Sequence, residues 1–182
     1  MLNNIAAIFG GATEVGDYES IATVTVGAGG ASSVDFTSIA GTYKHLQIRG
    51  ISRITSGSYA QVLFTVNGAG GSSYSRHYLF GDGSTTSAAG VASTSSMFGG
   101  VMSGSSQTSG IFGALVTDIL DYSNTNKNKT IRTLSGVDGN GSGYAWFSSG
   151  AYLSTTAITS ISIVPESSTF VQYSSFALYG IK

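Results

Sequence analysis

The sequence predicts an all-β fold: an antiparallel β-sandwich, jelly-roll-like, with an extended N-terminal arm. Three observations predict it. Short runs of alternating apolar and polar residues recur along the 182 residues, and a period of two is that of a half-buried strand. Turns rich in glycine separate the runs, with 26 glycines and one proline in the chain, and glycine reaches the positive φ that tight hairpins need. Neither an amphipathic helix nor a βαβ alternation interrupts the pattern, so roughly ten short strands must pack sheet on sheet.

The elements follow in order. Residues 1–16, MLNNIAAIFGGATEVG, hold Ile5, Ile8 and Phe9 but no basic residue. Their glycine-rich end reads as a hinge, so an arm that docks into another protein is expected, against a first strand paired within the domain. The sandwich is expected over 17–182. IATVTV at 21–26 sets Ala22, Val24 and Val26 on one face and the threonines on the other. YKHLQIRG at 43–50 turns Leu46 and Ile48 inward and His45, Gln47 and Arg49 outward. YAQVLFTVNG at 59–68 turns Val62, Phe64 and Val66 inward, and YSRHYLFGDGS at 74–84 reads as its hairpin partner across the turn at 67–73.

From Gly83 to Thr117 no residue is charged. One reading is a long surface loop plus one strand, SMFGGVMS at 96–103. The other is a contact loop in which Met97, Phe98 and Met102 order against a partner, because methionine adapts to irregular interfaces. GIFGALVTDILDY at 110–122 is apolar on both faces around Leu115 and Val116, which suits a central strand, with a short helix as the competing reading. Residues 128–153 read as two strands joined at Asp138-Gly139-Asn140-Gly141, and AITSISIVP at 157–165 as a strand ended by Pro165. The last run, SSFALYGIK, sends Phe176 and Leu178 to the core. It leaves Ala177, Tyr179 and Ile181 on the other face, where a neighbouring chain or the arm is expected to cover them, with an internal loop as the alternative.

Composition narrows the function. Charged residues make up 9% of the chain, against about 25% in ordinary soluble domains, so the surface is wetted by Ser, Thr, Asn and Gly. The formal net charge of −1 comes without a basic cluster, which argues against nucleic-acid binding through a charged face. No run reaches the length of a membrane span. The first basic residue is Lys44, so the charged flank of a secretory signal is missing and use without export is expected. Without cysteine there is neither a disulfide framework nor a thiolate metal site.

Catalytic, metal and cofactor sites are all expected to be absent. His45 and His77 are the only histidines, neither stands in a zinc-binding spacing, and no G-x-S-x-G elbow occurs. Asp118 and Asp121 fall on opposite faces of a strand and share a face only on a helix, so as a strand pair they cannot act as an acid and base couple. DGNGSG at 138–143 opens like a calcium loop, but Ser149 stands where such a loop needs its glutamate, and a hairpin turn is the simpler reading. The ten tyrosines are spread along the sequence and mark no single groove. Core edge and interface are their expected places.

The stretches DYESIATVTVGAGGASSVDFTSIAGTYKHLQIRG, RHYLFGDGS, VTDILDYSNTNKNKTIRTLSG and SSFALYGIK resemble a family of short structural proteins encoded by tailed bacteriophages. The similarity spans nearly all of 17–182. It implies a virion component, made in the host cytoplasm, with no catalytic residue to carry over. The expected role is capsid decoration, a cement protein that stabilises the head shell. The alternative is a tail-fibre or baseplate tip that binds host-surface polysaccharide, and a polysaccharide-degrading enzyme ranks third. Expected partners are the major capsid protein or other virion proteins and further copies of the chain, a trimer before a dimer. The docking residues expected are Ile5, Ile8, Phe9, Met97, Phe98, Met102, Tyr179 and Ile181.

Overall fold

The structure, a computed structural model, describes residues 17–182, and within them it is built from twelve strands and no helix. In chain order these are β1 (Tyr18–Thr25), β2 (Val34–Phe36), β3 (His45–Ser52), β4 (Tyr59–Val66), β5 (Tyr74–Gly81), β6 (Thr86–Thr94), β7 (Met97–Ser103), β8 (Gly113–Leu120), β9 (Lys129–Asp138), β10 (Gly143–Tyr152), β11 (Ile161–Pro165) and β12 (Ser175–Ile181). The arm expected over 1–16, with Ile5, Ile8 and Phe9, lies outside the described residues.

Eight of the strands trace a jelly roll. β1 pairs with β12, β2 with β11, β3 with β8 and β4 with β7, all antiparallel, so the chain forms one long two-stranded ribbon. Pairing of β12 with β3 and of β11 with β4 folds that ribbon into two sheets, ordered β1-β12-β3-β8 and β2-β11-β4-β7. Two hairpins are inserted into this path. β5–β6 interrupts the chain between β4 and β7, and β9–β10 interrupts it between β8 and β11. Both join the first sheet beyond β8, giving the order β1-β12-β3-β8-β9-β10-β5-β6.

Alternation sets the core. Leu46 and Ile48 of β3, Val62, Phe64 and Val66 of β4, and Phe176 and Leu178 of β12 point between the sheets and are almost fully buried. Each contributes roughly 1.5–3 kcal/mol by leaving water. A second, smaller cluster lies under the inserted hairpins, where Phe98 and Val101 of β7 meet Val137 of β9 and Trp146 of β10. There the two layers approach closely. A Cβ on Gly100 of β7, whose φ is 108°, would lie 2.3 Å from Ser135 Oγ of β9, and one on Gly150 of β10 would lie 2.1 Å from the end of the Met97 side chain of β7. The free edge of β7 is thereby brought onto polar side chains of the larger sheet. Val101 N–H donates to Ser135 Oγ at 3.1 Å, and Ser148 Oγ donates to the Phe98 carbonyl at 3.1 Å. Two backbone groups that an edge strand would leave unpaired are satisfied in this way.

Two expectations are corrected. The segments at 59–68 and 74–84 are strands but not a hairpin, because β4 belongs to the smaller sheet and β5 to the larger. The link between them turns a corner, clamped where Val66 N–H donates to the buried Tyr74 hydroxyl at 2.8 Å. The long loop after Gly83 is also absent: residues 86–94 form β6, paired along β5 as an uncharged edge strand. The segment at 110–122 is strand rather than helix over its β8 core. Beyond it, β9 and β10 form the hairpin expected at 138–141, with Asn140 at φ 61° and Gly141 at φ 103°.

Candidate partner-binding face

The larger sheet packs one face on the core and leaves the other to the outside. Cross-strand register fixes which outward side chains are neighbours. Val116 of β8 stands opposite Leu134 of β9, Leu134 opposite Phe147 of β10, Phe147 opposite Leu79 of β5, and Leu79 opposite Ala88 of β6. The result is one unbroken apolar row across five strands. Its members are open to water: Val116 is 39% exposed, Leu134 64%, Phe147 40% and Leu79 56%. Three of the four belong to the inserted hairpins.

Beside this row runs a second made of the smallest side chains. Ala114, Gly136, Ala145 and Gly81 are aligned in the same register. They floor an open trough of about 770 Å³ whose rim includes Phe112, the β9–β10 turn and the β5–β6 turn. The second turn is held by Asp82, whose carboxylate accepts from the N–H groups of Ser84 at 2.8 Å and Thr85 at 2.7 Å. Those bonds, that from Thr85 foremost, hold the Asp82 carboxyl below its ordinary range. An apolar ridge next to a floor of small residues can take a complementary ridge from another protein.

The same face is different over the jelly-roll strands. Arg49 of β3 lies over the rings of Tyr18, 5.7 Å from its centroid, and Tyr179, 5.4 Å from its centroid. Its Nε donates to Gln47 Oε1 at 2.8 Å, Gln47 Nε2 donates to Asp118 Oδ1 at 2.8 Å, and Arg132 Nε donates to Asp118 Oδ2 at 3.1 Å. A continuous polar chain therefore crosses from β1 to β9, and each of its members already has a partner within the protein. Asp121 is likewise engaged. Its carboxylate takes a hydrogen bond from Lys127, which holds the carboxyl below its ordinary range, while its N–H donates to His45 Nδ1 at 2.9 Å.

The expected docking residues are thus dispersed. Met97, Phe98 and Met102 are 5% exposed or less, so as part of this fold they offer a partner no surface. Their strand is the edge of the smaller sheet, pressed against β9 and β10, and apolar side chains of that size fill the space between the layers. Tyr179 and Ile181 do point outward from β12, as expected, but both are half-buried. Arg49 covers Tyr179 from within the chain, and Ile181 lies between Tyr18 and His45 on the flanking strands. Ile5, Ile8 and Phe9 are outside the described residues.

Comparison of the chain with protein-family models, curated proteins and solved structures returns no match.

Leu79, Leu134 and Phe147 are not singled out by the sequence, and Val116 stands out only as part of a strand apolar on both faces, because all four sit at outward positions, where polar residues are the norm. A local signal existed. Leu115-Val116, Tyr78-Leu79-Phe80 and Trp146-Phe147 are consecutive large apolar residues that break the period of two, each marking a level where both faces of a strand are apolar. Only the first was recognised. Their alignment into one row depends on pairings between distant segments, such as Phe147 with Leu79, which no short window contains.

Proposed function

We propose that the chain is a structural component of a bacteriophage virion: a capsid decoration or cement protein that binds and stabilises the head shell through the outer face of its larger sheet. The observation that carries this reading is the exposed apolar row from Val116 to Leu79, in register over four adjacent strands. Contiguous apolar surface of that kind marks protein contact sites. Completing the burial of these side chains would contribute about 1 kcal/mol apiece, and repetition over a symmetric shell multiplies the gain. The low charge agrees with a contact built on apolar packing rather than ion pairs. The resemblance of 17–182 to short phage structural proteins points the same way. The role is non-enzymatic, with Asp118, Asp121 and His45 occupied in structural hydrogen bonds.

The test is cosedimentation with expanded empty heads of the tailed phage whose genome encodes the chain. Saturable coating at many copies per head is the expected result. A second reading, a tail-fibre or baseplate tip binding host-surface polysaccharide, is favoured by a cleft of aromatic rings on the opposite face of the same hairpins. Protein that ignores heads and decorates host cells would replace the first reading with the second.

A further inference from the structure

We infer that the inserted hairpins build a binding site for a neutral pyranose sugar, on the face opposite the apolar row. Inward-pointing rings of β5 and β10 meet the end of β4 in a cleft of about 360 Å³, room for roughly one or two sugar rings. The Phe80 and Trp146 rings are stacked at 4.6 Å with 6° between their planes, and Tyr78 stacks on the same indole at 5.1 Å. Tyr144 stands edge-on to Phe80 at 5.9 Å, and Tyr59 edge-on to Tyr144 at 5.1 Å. The Tyr59 hydroxyl is tied to Ser142 Oγ at 2.8 Å, which fixes that wall to the β9–β10 turn. Trp146 is 6% exposed, whereas Tyr59, Tyr78, Phe80 and Tyr144 are half-buried and leave part of their surface to the cleft.

The polar groups decide the ligand class. Gln61 Oε1 and Trp146 Nε1 are buried without a hydrogen-bond partner among the described residues, and both residues line the cleft. Buried polar atoms left unpaired are destabilising, so two in one cleft point to a ligand that pairs with them. Glu166, also in the lining, is positioned beside Gln61 because its N–H donates to the Gln61 carbonyl at 2.9 Å. An amide oxygen and a carboxylate are acceptors, and no basic side chain lines the cleft. The matching ligand is uncharged, rich in hydroxyl donors and apolar on one face. A pyranose has all three properties: its axial C–H face packs on an aromatic ring while its hydroxyls reach the rim. The Arg76 guanidinium lies over the Phe98 ring at 3.5 Å and is not part of the lining, so an acidic sugar would meet the Glu166 carboxylate with no basic side chain in the cleft wall.

Trp146 is the sole tryptophan of the chain, so its emission reports on the cleft directly. The full chain is titrated with the methyl glycosides of glucose, galactose, mannose and N-acetylglucosamine, and with glucuronate and sialic acid as anionic controls. A saturable change with at least one neutral glycoside and none with the anions is expected. Tyr144→Phe should bind within about threefold of the parent, and Tyr144→Ala and the surface change Glu166→Gln should each weaken binding by about tenfold or more. Leu134→Asp, on the other face, should leave the titration unchanged, which separates this site from the head-binding surface. No saturable response to any neutral glycoside, an equal response to the acidic sugars, or undiminished binding by both Tyr144→Ala and Glu166→Gln would overturn the assignment.

Discussion

The outer face of one sheet carries two surfaces built on different terms. Over β1, β12, β3 and β8, strands of the jelly roll, a polar chain ties outward side chains to one another, Arg49 to Tyr18 and Tyr179, Gln47 to Arg49 and Asp118, Asp118 to Arg132, with Ile51 and Val116 left exposed beside it. Over β9, β10 and β5, strands of the two inserted hairpins, Leu134, Phe147 and Leu79 stand side by side and exposed. The polar chain of the first surface is satisfied within the protein. The second surface leaves its apolar side chains in water. The difference teaches that the jelly roll supplies a frame and the insertions supply the two surfaces on which the proposed contacts rest, apolar row outside and aromatic cleft inside.

Substitutions at different depths separate the frame from the proposed contact surface. Leu178→Ala, in β12 between the sheets, removes a fully buried side chain and should cost about 2–5 kcal/mol in a chemical or thermal melt. Leu134→Asp, on β9 next to β8 and on the outer face, should change the melt by no more than about 0.5 kcal/mol, because an exposed position loses little on becoming polar. A large loss of stability in Leu134→Asp would show that the row is core and not contact surface. Between these lies Arg49→Ala, which should cost about 1 kcal/mol through the lost cation–π and hydrogen bonds. The Tyr18 and Tyr179 rings should become more exposed to solvent quenching in that variant.

The smallest effect expected is on pH. Asp82 has a depressed carboxyl in the folded chain, so the stability it lends to the β5–β6 turn is fully present above the unfolded value near 3.9 and is lost as pH falls through the folded one. Protection of the Ser84 and Thr85 amides, taken relative to the intrinsic exchange rate at each pH, should fall on acidification through that range, and Asp82→Ala should show low protection at every pH. A fall that persists in Asp82→Ala would assign the effect to another carboxylate.

How much of this was legible follows from the kind of information each feature needs. The frame was legible because alternation is local: Val62, Phe64 and Val66, or Phe176 and Leu178, declare their face within one short run. The β9–β10 hairpin was legible because Asn140-Gly141 names its own turn. β6 was not, since all but the last of its residues are exposed and small, and a strand wet on both faces has no alternation to read. The partner of β4 was misread because a link of seven residues can close a hairpin or cross between layers, and only the packing of Tyr74 under Val66 chooses. The burial of Met97, Phe98 and Met102 depends on Gly100 letting β7 approach β9 and on Gly150 leaving room on β10 for Met97. The five aromatic residues of the cleft come from three segments far apart in sequence, and their spread along the chain concealed their convergence.

The central claim is that the outer row of the inserted hairpins is the surface that meets the virion shell. Its most direct measurement is cosedimentation with expanded empty heads of the parent chain, of Leu134→Asp/Phe147→Asp, and of Arg49→Ala, all first matched for folding by circular dichroism. The parent and Arg49→Ala should coat the heads with the same affinity, and the double variant should bind about tenfold more weakly or not at all. Equal coating by the folded double variant would contradict the claim.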